Sequence, residues 1–494
     1  WISQGKILPM RTIEVQYGYE NRAKGGRNMP VRLGIDNRAD AAMEGSVEFL
    51  FRQPDGELYA YAYPLRLTAG ETYSASYVVP LSVGADAFWV RLRDSEGKLS
   101  ETKRVELTQS GGEPELFIGL LSDSPEALAY LNGVSVNYGQ MKTRTFALSE
   151  RDFPEDRRQL DAFDVVVISN YQVSKLSVRQ VRALMQWMRN GGVLLFGTGE
   201  RVNDTLGVFA PEFLDDMYEQ PTVQELSLAA TDGLSVQTPG TEDEAEAPVA
   251  LPYVHISLHG GSEVVSAGER PLITAANKGS GVLAVSSIDL TALHDYASAH
   301  TQYTDQLLTR LLGSARLERL ASEAQSVRYG EEWSAETLVD NGAATLLPNL
   351  LGYGALLFFY LLLVGPALYA VLRHFRSERI YRRAAIAVTV FFAGLTWLFS
   401  AGSRFRSPFY SYASIQEAGE DVLSETVYVN LRNPRHRSYR LALEAGSEIV
   451  PLATAKQTAA NSGVSGEEEA DLTVSERGTE RELAVRNPAA FSAK

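Results

Sequence analysis

The sequence predicts a multidomain chain, α/β plus all-β with transmembrane helices: an N-terminal β-sandwich, an α/β domain on a parallel sheet, a two-helix membrane hairpin and a C-terminal β segment. Three observations predict it. Residues 11–107 alternate apolar and polar positions, residues 115–320 alternate short apolar runs with amphipathic stretches, and the runs 350–372 and 384–402 contain no Asp, Glu, Lys or Arg. Period-two alternation marks half-buried strands, strand–helix alternation marks a parallel sheet, and uncharged runs of this length mark membrane spans.

Composition narrows the field. A chain of 494 residues is too long for one core, so several domains are expected. Its 46 Lys and Arg stand against 61 Asp and Glu, a net charge of −15, and no basic stripe outside one short loop is available to neutralise phosphates, which argues against a nucleic-acid partner. Cysteine is absent, which removes disulfides, thiolate metal ligands and a thiol nucleophile. An exported N-terminal region needs a targeting signal, yet the chain opens at Trp1 without a charged-then-apolar leader; removal of a leader is the expectation.

Residues 1–110 read as an Ig-like β-sandwich. Val47, Phe49 and Phe51 share one face, as do Tyr59, Tyr61 and Tyr63, and Phe88, Val90 and Leu92, with Pro54-Asp55-Gly56 and Ala69-Gly70 as turns. Such an aromatic stripe can be a carbohydrate-binding face; far more often it is core.

A linker at 109–114 leads into βα units spanning 115–320. Strands are expected at 116–121 and 143–148, with a helix between them capped by Ser124, opened by Pro125 and ending near Gly133. The β-branched run from Phe163 to Asn170 is the best central strand, since a strand covered on both faces is apolar throughout. Ser177 with Gln180 forms a capping box ahead of Val178, Val181, Leu184, Met185 and Met188, and Asn190-Gly191-Gly192 ends that helix. A strand at 193–196 runs into Gly197-Thr198-Gly199, a late strand covers 281–285, and a closing helix covers 302–312. Glu242, Asp243, Glu244 and Glu246 cluster in an acidic loop, but without the spacing of a calcium site; a solvated insertion is expected there.

The two apolar runs, within 345–403, give helices of roughly 35 and 29 Å against a hydrocarbon core of about 30 Å. A buried helical pair in a soluble core would carry a polar face, and neither run does. The connecting loop carries Arg373, Arg376, Arg379, Arg382 and Arg383 against Glu378, whereas Glu331, Glu332, Glu336 and Asp340 precede the first run. The positive-inside bias makes that loop cytoplasmic, with Arg404 and Arg406 blunting the asymmetry without reversing it. Residues 405–494 then return to the outside, with strands at 426–431 and 439–443 and a polar linker at 454–469, as a further β-rich segment whose completeness the sequence leaves open.

This order of parts resembles a family of uncharacterised bacterial membrane proteins with an extracytoplasmic β-sandwich, a class I glutamine amidotransferase-like domain and a transmembrane hairpin. Gly18-Tyr19, Lys24-Gly25, Arg27, Pro30-Val31 and Asn37 resemble the family's opening strands, and Leu363-Val364-Gly365-Pro366, Tyr369 and Val371-Leu372 its hairpin; the amidotransferase-like core is 115–315. The resemblance implies a bacterial cell-membrane location, multi-pass, with most of the chain extracytoplasmic. It also implies the company of a MoxR-type ATPase or an ABC transporter, and hence an envelope or transporter protein partner beside the lipid bilayer itself.

A working amidotransferase of that class places a cysteine on a strand-to-helix turn beside a histidine. Here the equivalent turn is Gly197-Thr198-Gly199-Glu200, with no cysteine and with only His294 and His300 as distant candidate bases. The domain therefore reads as catalytically silent, with no cofactor and no metal. Its crevice, at the carboxyl ends of the strands, should gather Ser122, Asn170, Tyr171, Thr198 and Glu200 as candidate ligand-binding residues; turn formation and capping are their ordinary roles. The leading expectation is a non-enzymatic envelope scaffold or binding protein. The alternatives are an envelope amide or peptide hydrolase using Thr198, and a ligand sensor in which Gly352, Gly354, Gly365 and Pro366 let the hairpin bend.

Overall fold

Alternating apolar positions build the seven long strands described near the N-terminus: β1 (Arg11–Tyr17), β2 (Asn28–Asn37), β3 (Met43–Arg52), β4 (Leu58–Leu67), β5 (Thr72–Pro80), β6 (Ala87–Asp94) and β7 (Leu99–Glu106). The computed structural model describes residues 11–53, 56–81, 85–109, 114–228, 248–329, 339, 350–375, 378–403, 409–418, 423–432, 436–444, 447–450, 466–477 and 480–486. The acidic loop at 241–247, the Pro54-Asp55 turn, the acidic flank of the first apolar run apart from residue 339, and most of the 454–469 linker lie outside these residues.

β1, β2 and β5 form one antiparallel sheet, and β4, β3, β6 and β7 form part of a second. Val31, Leu33 and Ile35 of the first sheet meet Val47, Phe49, Phe51, Phe88, Val90 and Leu92 of the second in one core. The tyrosine stripe belongs to that core. Tyr61 donates its hydroxyl proton to Ile449 O at 2.8 Å and Tyr63 to Val78 O at 2.7 Å, so the polar ends are satisfied by backbone and the rings stay dry.

The α/β domain is built on β8 (Glu115–Leu121), β9 (Met141–Leu148), β10 (Val165–Ile168), β11 (Val193–Gly197), β12 (Ser262–Ala267), β13 (Arg270–Lys278) and β14 (Gly281–Ser286). Their order across the sheet is β9-β8-β10-β11-β14-β13-β12, parallel through β14 and antiparallel beyond it. All four residues of β10 are buried because apolar clusters cover both faces, as a central strand requires. Helix α1 (Val178–Arg189) starts on the expected capping box, with Ser177 Oγ accepting from Gln180 N and Gln180 Oε1 accepting from Ser177 N. Helices α2 (Thr301–Leu312) and α3 (Ser314–Tyr329) follow the sheet.

One expected helix differs. Pro125–Leu131 is a 3-10 helix, and Ser124 makes no side-chain cap bond; its Oγ accepts from Asn170 Nδ2 at 3.2 Å.

Tyr19, Lys24 and Asn28 dock the sandwich on the α/β domain. Tyr19 lies against Phe163 and Phe146, with ring centroids 4.3 and 6.2 Å away, and donates to Gln159 O at 2.8 Å. Asn28 donates from N and Nδ2 to Asp161 Oδ2, and Lys24 Nζ lies 2.6 Å from Asp164 Oδ2.

Helix α4 (Leu351–His374) is long and apolar enough to cross a membrane by length and composition. Pro366 has no N–H to give the helical ladder, and a π turn at Leu363–Ala367 accommodates it. Helix α5 (Tyr381–Ser403) has 23 residues. The two are neighbours: Tyr381 donates to Val364 O at 2.9 Å, Tyr360 Oη is 3.3 Å from Thr389 Oγ1, and the Tyr360 and Phe392 ring centroids are 5.5 Å apart.

Beyond α5 come β15 (Phe409–Ala418), β16 (Leu423–Arg432), β17 (Tyr439–Glu444), β18 (Leu472–Arg477) and β19 (Glu480–Val485). β15 and β16 pair as a two-stranded sheet. The last three strands do not make a further domain. They extend the second sandwich sheet to the order β17-β19-β18-β4-β3-β6-β7, with β18 parallel to β4 and Leu472 opposite Tyr59. The reason is chemical: β4 offers an unpaired edge with buried side chains, Val474 enters its core, and Leu58 N is taken by Asp471 Oδ2 at 3.0 Å.

Candidate functional site

In chain order the five parallel strands run 2-1-3-4-5, so the direction of winding reverses between β8 and β10. Ligands of open α/β sheets bind outside the carboxyl ends of the strands at such a reversal. Four loops meet there, after β8, β10, β11 and β14.

Asn170 is the hinge of the cluster. It holds φ at 51°, a left-handed conformation that asparagine tolerates better than other residues with a β-carbon. Its carbonyl accepts from Asp123 N at 3.0 Å and Arg201 Nη1 at 3.2 Å, and its Oδ1 accepts from Arg201 Nη1 at 2.6 Å. Arg201 also reaches Asp123 Oδ2 at 3.0 Å and, through Nε, Asp204 Oδ2 at 3.0 Å. Burial pulls the guanidinium pKa down, but the bonds to Asp123 and Asp204 outweigh it and hold the group above its ordinary value. Lys175 Nζ lies 3.5 Å from Asp123 Oδ1 and 5.3 Å from the Tyr171 ring centroid. Tyr171 is buried, and burial, with Glu150 and Asp123 nearby, pushes its hydroxyl up to about 12. Its Oη has no hydrogen-bond partner among the described residues.

Ser122, Asn170 and Tyr171 therefore sit on the two loops at the reversal, with Ser122 Oγ accepting from Ser124 N. Glu200 is exposed on the loop after β11. Thr198 is elsewhere in character: fully buried, its hydroxyl donates to Ser286 O at 2.6 Å, and neither histidine bonds it. His294 Nδ1 faces Ala127 O, and His300 Nδ1 faces Tyr296 O. The glycines beside Thr198 are required by close packing. A β-carbon on Gly197 would fall 2.0 Å from Ser169 Oγ, and Gly199, at φ 61°, leaves 2.8 Å to Asp289 N. Ser169 in turn donates to Asp289 Oδ1 at 2.6 Å.

Sequence reading missed Asp123, Lys175 and Arg201, the charged part of the cluster. Asp123 and Arg201 each adjoin a residue that was singled out, Ser122 and Glu200, so strand-end position was the available signal. What the cluster offers chemically is a network of exchangeable ion pairs around an unsatisfied hydroxyl; among the described residues no group of three or more His, Asp or Glu is arranged to hold a metal ion.

Residues 11–108 match a domain of unknown function, DUF8726. No curated protein matches the chain in sequence. Among solved structures, the chain is similar to the cytoplasmic protein STM1381 of Salmonella typhimurium LT2, at 13% identity over 40% of this chain and 99% of that one, with a TM-score of 0.28. It is also similar to the cytoplasmic protein STM3548 of Salmonella typhimurium, at 16% identity over 46% and 95%, TM-score 0.27. The exo-beta-1,4-mannosidase Op5Man5 of Opitutaceae bacterium strain TAV5 follows, at 14% identity over 41% and 35%, TM-score 0.23. Similarity at this level carries no conclusion about fold or activity.

Proposed function

We propose that the chain is a non-enzymatic, membrane-anchored binding protein of the bacterial envelope, whose sandwich and amidotransferase-like domain are displayed outside the cytoplasm on a two-helix anchor. The observation that carries this reading is the pairing of Leu472 with Tyr59. Strands from before α4 and after α5 hydrogen-bond in one sheet, so a bilayer crossed once between them would tear that sheet apart. If the apolar α4 crosses, a second crossing is required, and α5 supplies it. Arg373 in the last turn of α4, Arg379 between the helices, and Arg382 and Arg383 in the first turn of α5 then favour a cytoplasmic turn.

The absence of cysteine and the committed hydroxyl of Thr198 favour binding over hydrolysis. The ion-pair cluster around Asn170 is the surface we assign to a polar ligand or to a transporter or envelope partner.

The cysteine-free chain makes a direct test available. Single variants Lys98→Cys and Arg379→Cys, on exposed positions, are treated with a membrane-impermeant maleimide on intact cells. Labelling of the first, and of the second only after permeabilisation, is expected; equal labelling of both, or recovery of the chain in the soluble fraction, would overturn the reading. Purification in mild detergent should bring down a stoichiometric partner that is lost in Arg201→Ala.

A further inference from the structure

β15 and β16 carry an apolar face that stands exposed among the described residues. Gln416 Nε2 donates to Glu425 Oε1 at 3.2 Å, so the even positions of β15 share a face with the odd positions of β16. That face holds Tyr410 and Tyr412, 63% and 64% exposed, and Val427 and Val429, 47% and 49% exposed. The opposite face is half-buried at Ser411, Tyr428 and Asn430, and Ser411 Oγ donates to Val339 O at 3.0 Å. A two-stranded sheet is marginal in water on its own, and one that turns its aromatic residues outward needs a cover.

We propose that the cover is the lipid bilayer: the Tyr410–Tyr412 face lies in the headgroup and upper acyl layer, and the sheet is a membrane-surface element. This rests on the membrane reading of α4 and α5. Three features favour lipid over protein. β15 begins at Phe409, shortly after α5 ends at Ser403, so the sheet follows the apolar helix closely in the sequence. The face is graded along β15, aromatic where it is nearest the helix and ending in the polar Gln416–Glu425 pair farthest from it, as a sheet leaving a membrane at a slant would be. Tyrosine suits a boundary where the ring is in an apolar layer and the hydroxyl is wet, and Arg404 and Arg406, which lie between helix and strand in the sequence, suit anionic headgroups.

The full chain is reconstituted in vesicles of phosphatidylcholine and phosphatidylglycerol, with an environment-sensitive fluorophore on a single introduced cysteine. Tyr412→Cys, Gln416→Cys, Leu361→Cys on α4 and Lys98→Cys on the sandwich are compared using spin-labelled lipids and aqueous iodide as quenchers. For a face buried about 5–10 Å into the boundary, shallow lipid quencher should dim position 412 at least about twofold more than position 98, with iodide access reduced in proportion. Position 416 should behave like position 98. If position 361 is quenched by lipid while 412 matches 98, the proposal fails and the membrane reading stands; if 361 is not quenched, both fail. Shielding of 412 from iodide and lipid alike would show that a protein, a second copy or another chain, covers the face, and would also overturn the proposal.

Discussion

Asp164 Oδ2 accepts both Lys24 Nζ, at 2.6 Å, and the backbone N–H of Phe117, at 2.8 Å. One buried carboxylate thus ties the sandwich to the first strand of the parallel sheet, with Arg27 Nη2 3.9 Å from its other oxygen. Asp164→Ala should cost about 3–5 kcal/mol, because it strands a cation and an amide together. Lys24→Met should cost less, since the carboxylate keeps Phe117 N and Arg27. Chemical denaturation of both variants checks the order; equal small losses would show that the contact is not what joins the domains.

Glu48 Oε2 holds two guanidinium groups, Arg91 Nη2 and Arg93 Nε, each at 2.8 Å. Burial pulls the Arg91 pKa down and Glu48 opposes it. Glu48→Ala is expected to destabilise by about 3 kcal/mol. Arg91 also donates to Glu468 O, so the tail should become protease-sensitive near residue 468 in the same variant. Gel analysis of timed digests reads this out.

Truncation after residue 444 removes β18 and β19 and leaves the β4 edge bare. The shortened chain should self-associate, because an apolar strand edge recruits other strands. A monodisperse, fully folded product in size-exclusion chromatography would show that the tail is dispensable to the sheet.

Asp156 caps a short 3-10 helix by accepting from Arg158 N at 2.9 Å and pairs with the Arg158 side chain. Burial raises its pKa, but the hydrogen bonds and charge of Arg158 outweigh burial and hold it below the ordinary carboxylate range. A folded pKa below the unfolded one means stability that is present above the unfolded value, about 3.9, and lost as pH falls through the folded value. After screening of this partly exposed pair, Asp156→Asn should cost under about 1 kcal/mol at neutral pH, with the difference closing at an acid pH below the folded value. Melting temperatures of variant and wild type at the two pH values test it.

Thr198→Val keeps the shape and deletes the bond to Ser286 O. A loss of about 1–2 kcal/mol is expected from the carbonyl left unpaired, with every binding property of the crevice intact. Loss of a hydrolytic activity in this variant would revive the enzymatic reading.

Much of this architecture could be read locally. The capping box at Ser177, the buried run of β10 and the tyrosine alternation of β4 are each decided by residues within a few positions of one another, where periodicity and caps speak directly. The fate of the tail could not be read in this way: nothing in residues 472–477 says that their neighbour is Tyr59 rather than another strand close by, since β pairing across such a separation is chosen by edge complementarity. The bond that Ser124 Oγ accepts from Asn170, in a loop distant in sequence, was equally out of local reach. At the crevice, strand ends located Asn170, Tyr171 and Ser122, whereas the ion pairs of Arg201 and Lys175 with Asp123 appear only once three loops converge.

The parallel neighbour of β4 reorders the life of the nascent chain. β4 is complete at Leu67, but the strand beside it begins at Leu472. At about 5–20 residues per second, the ribosome delivers that partner roughly 20–80 s later. Throughout that interval the tyrosine-rich β4 edge is without its native neighbour. The domain made first is the last to be finished.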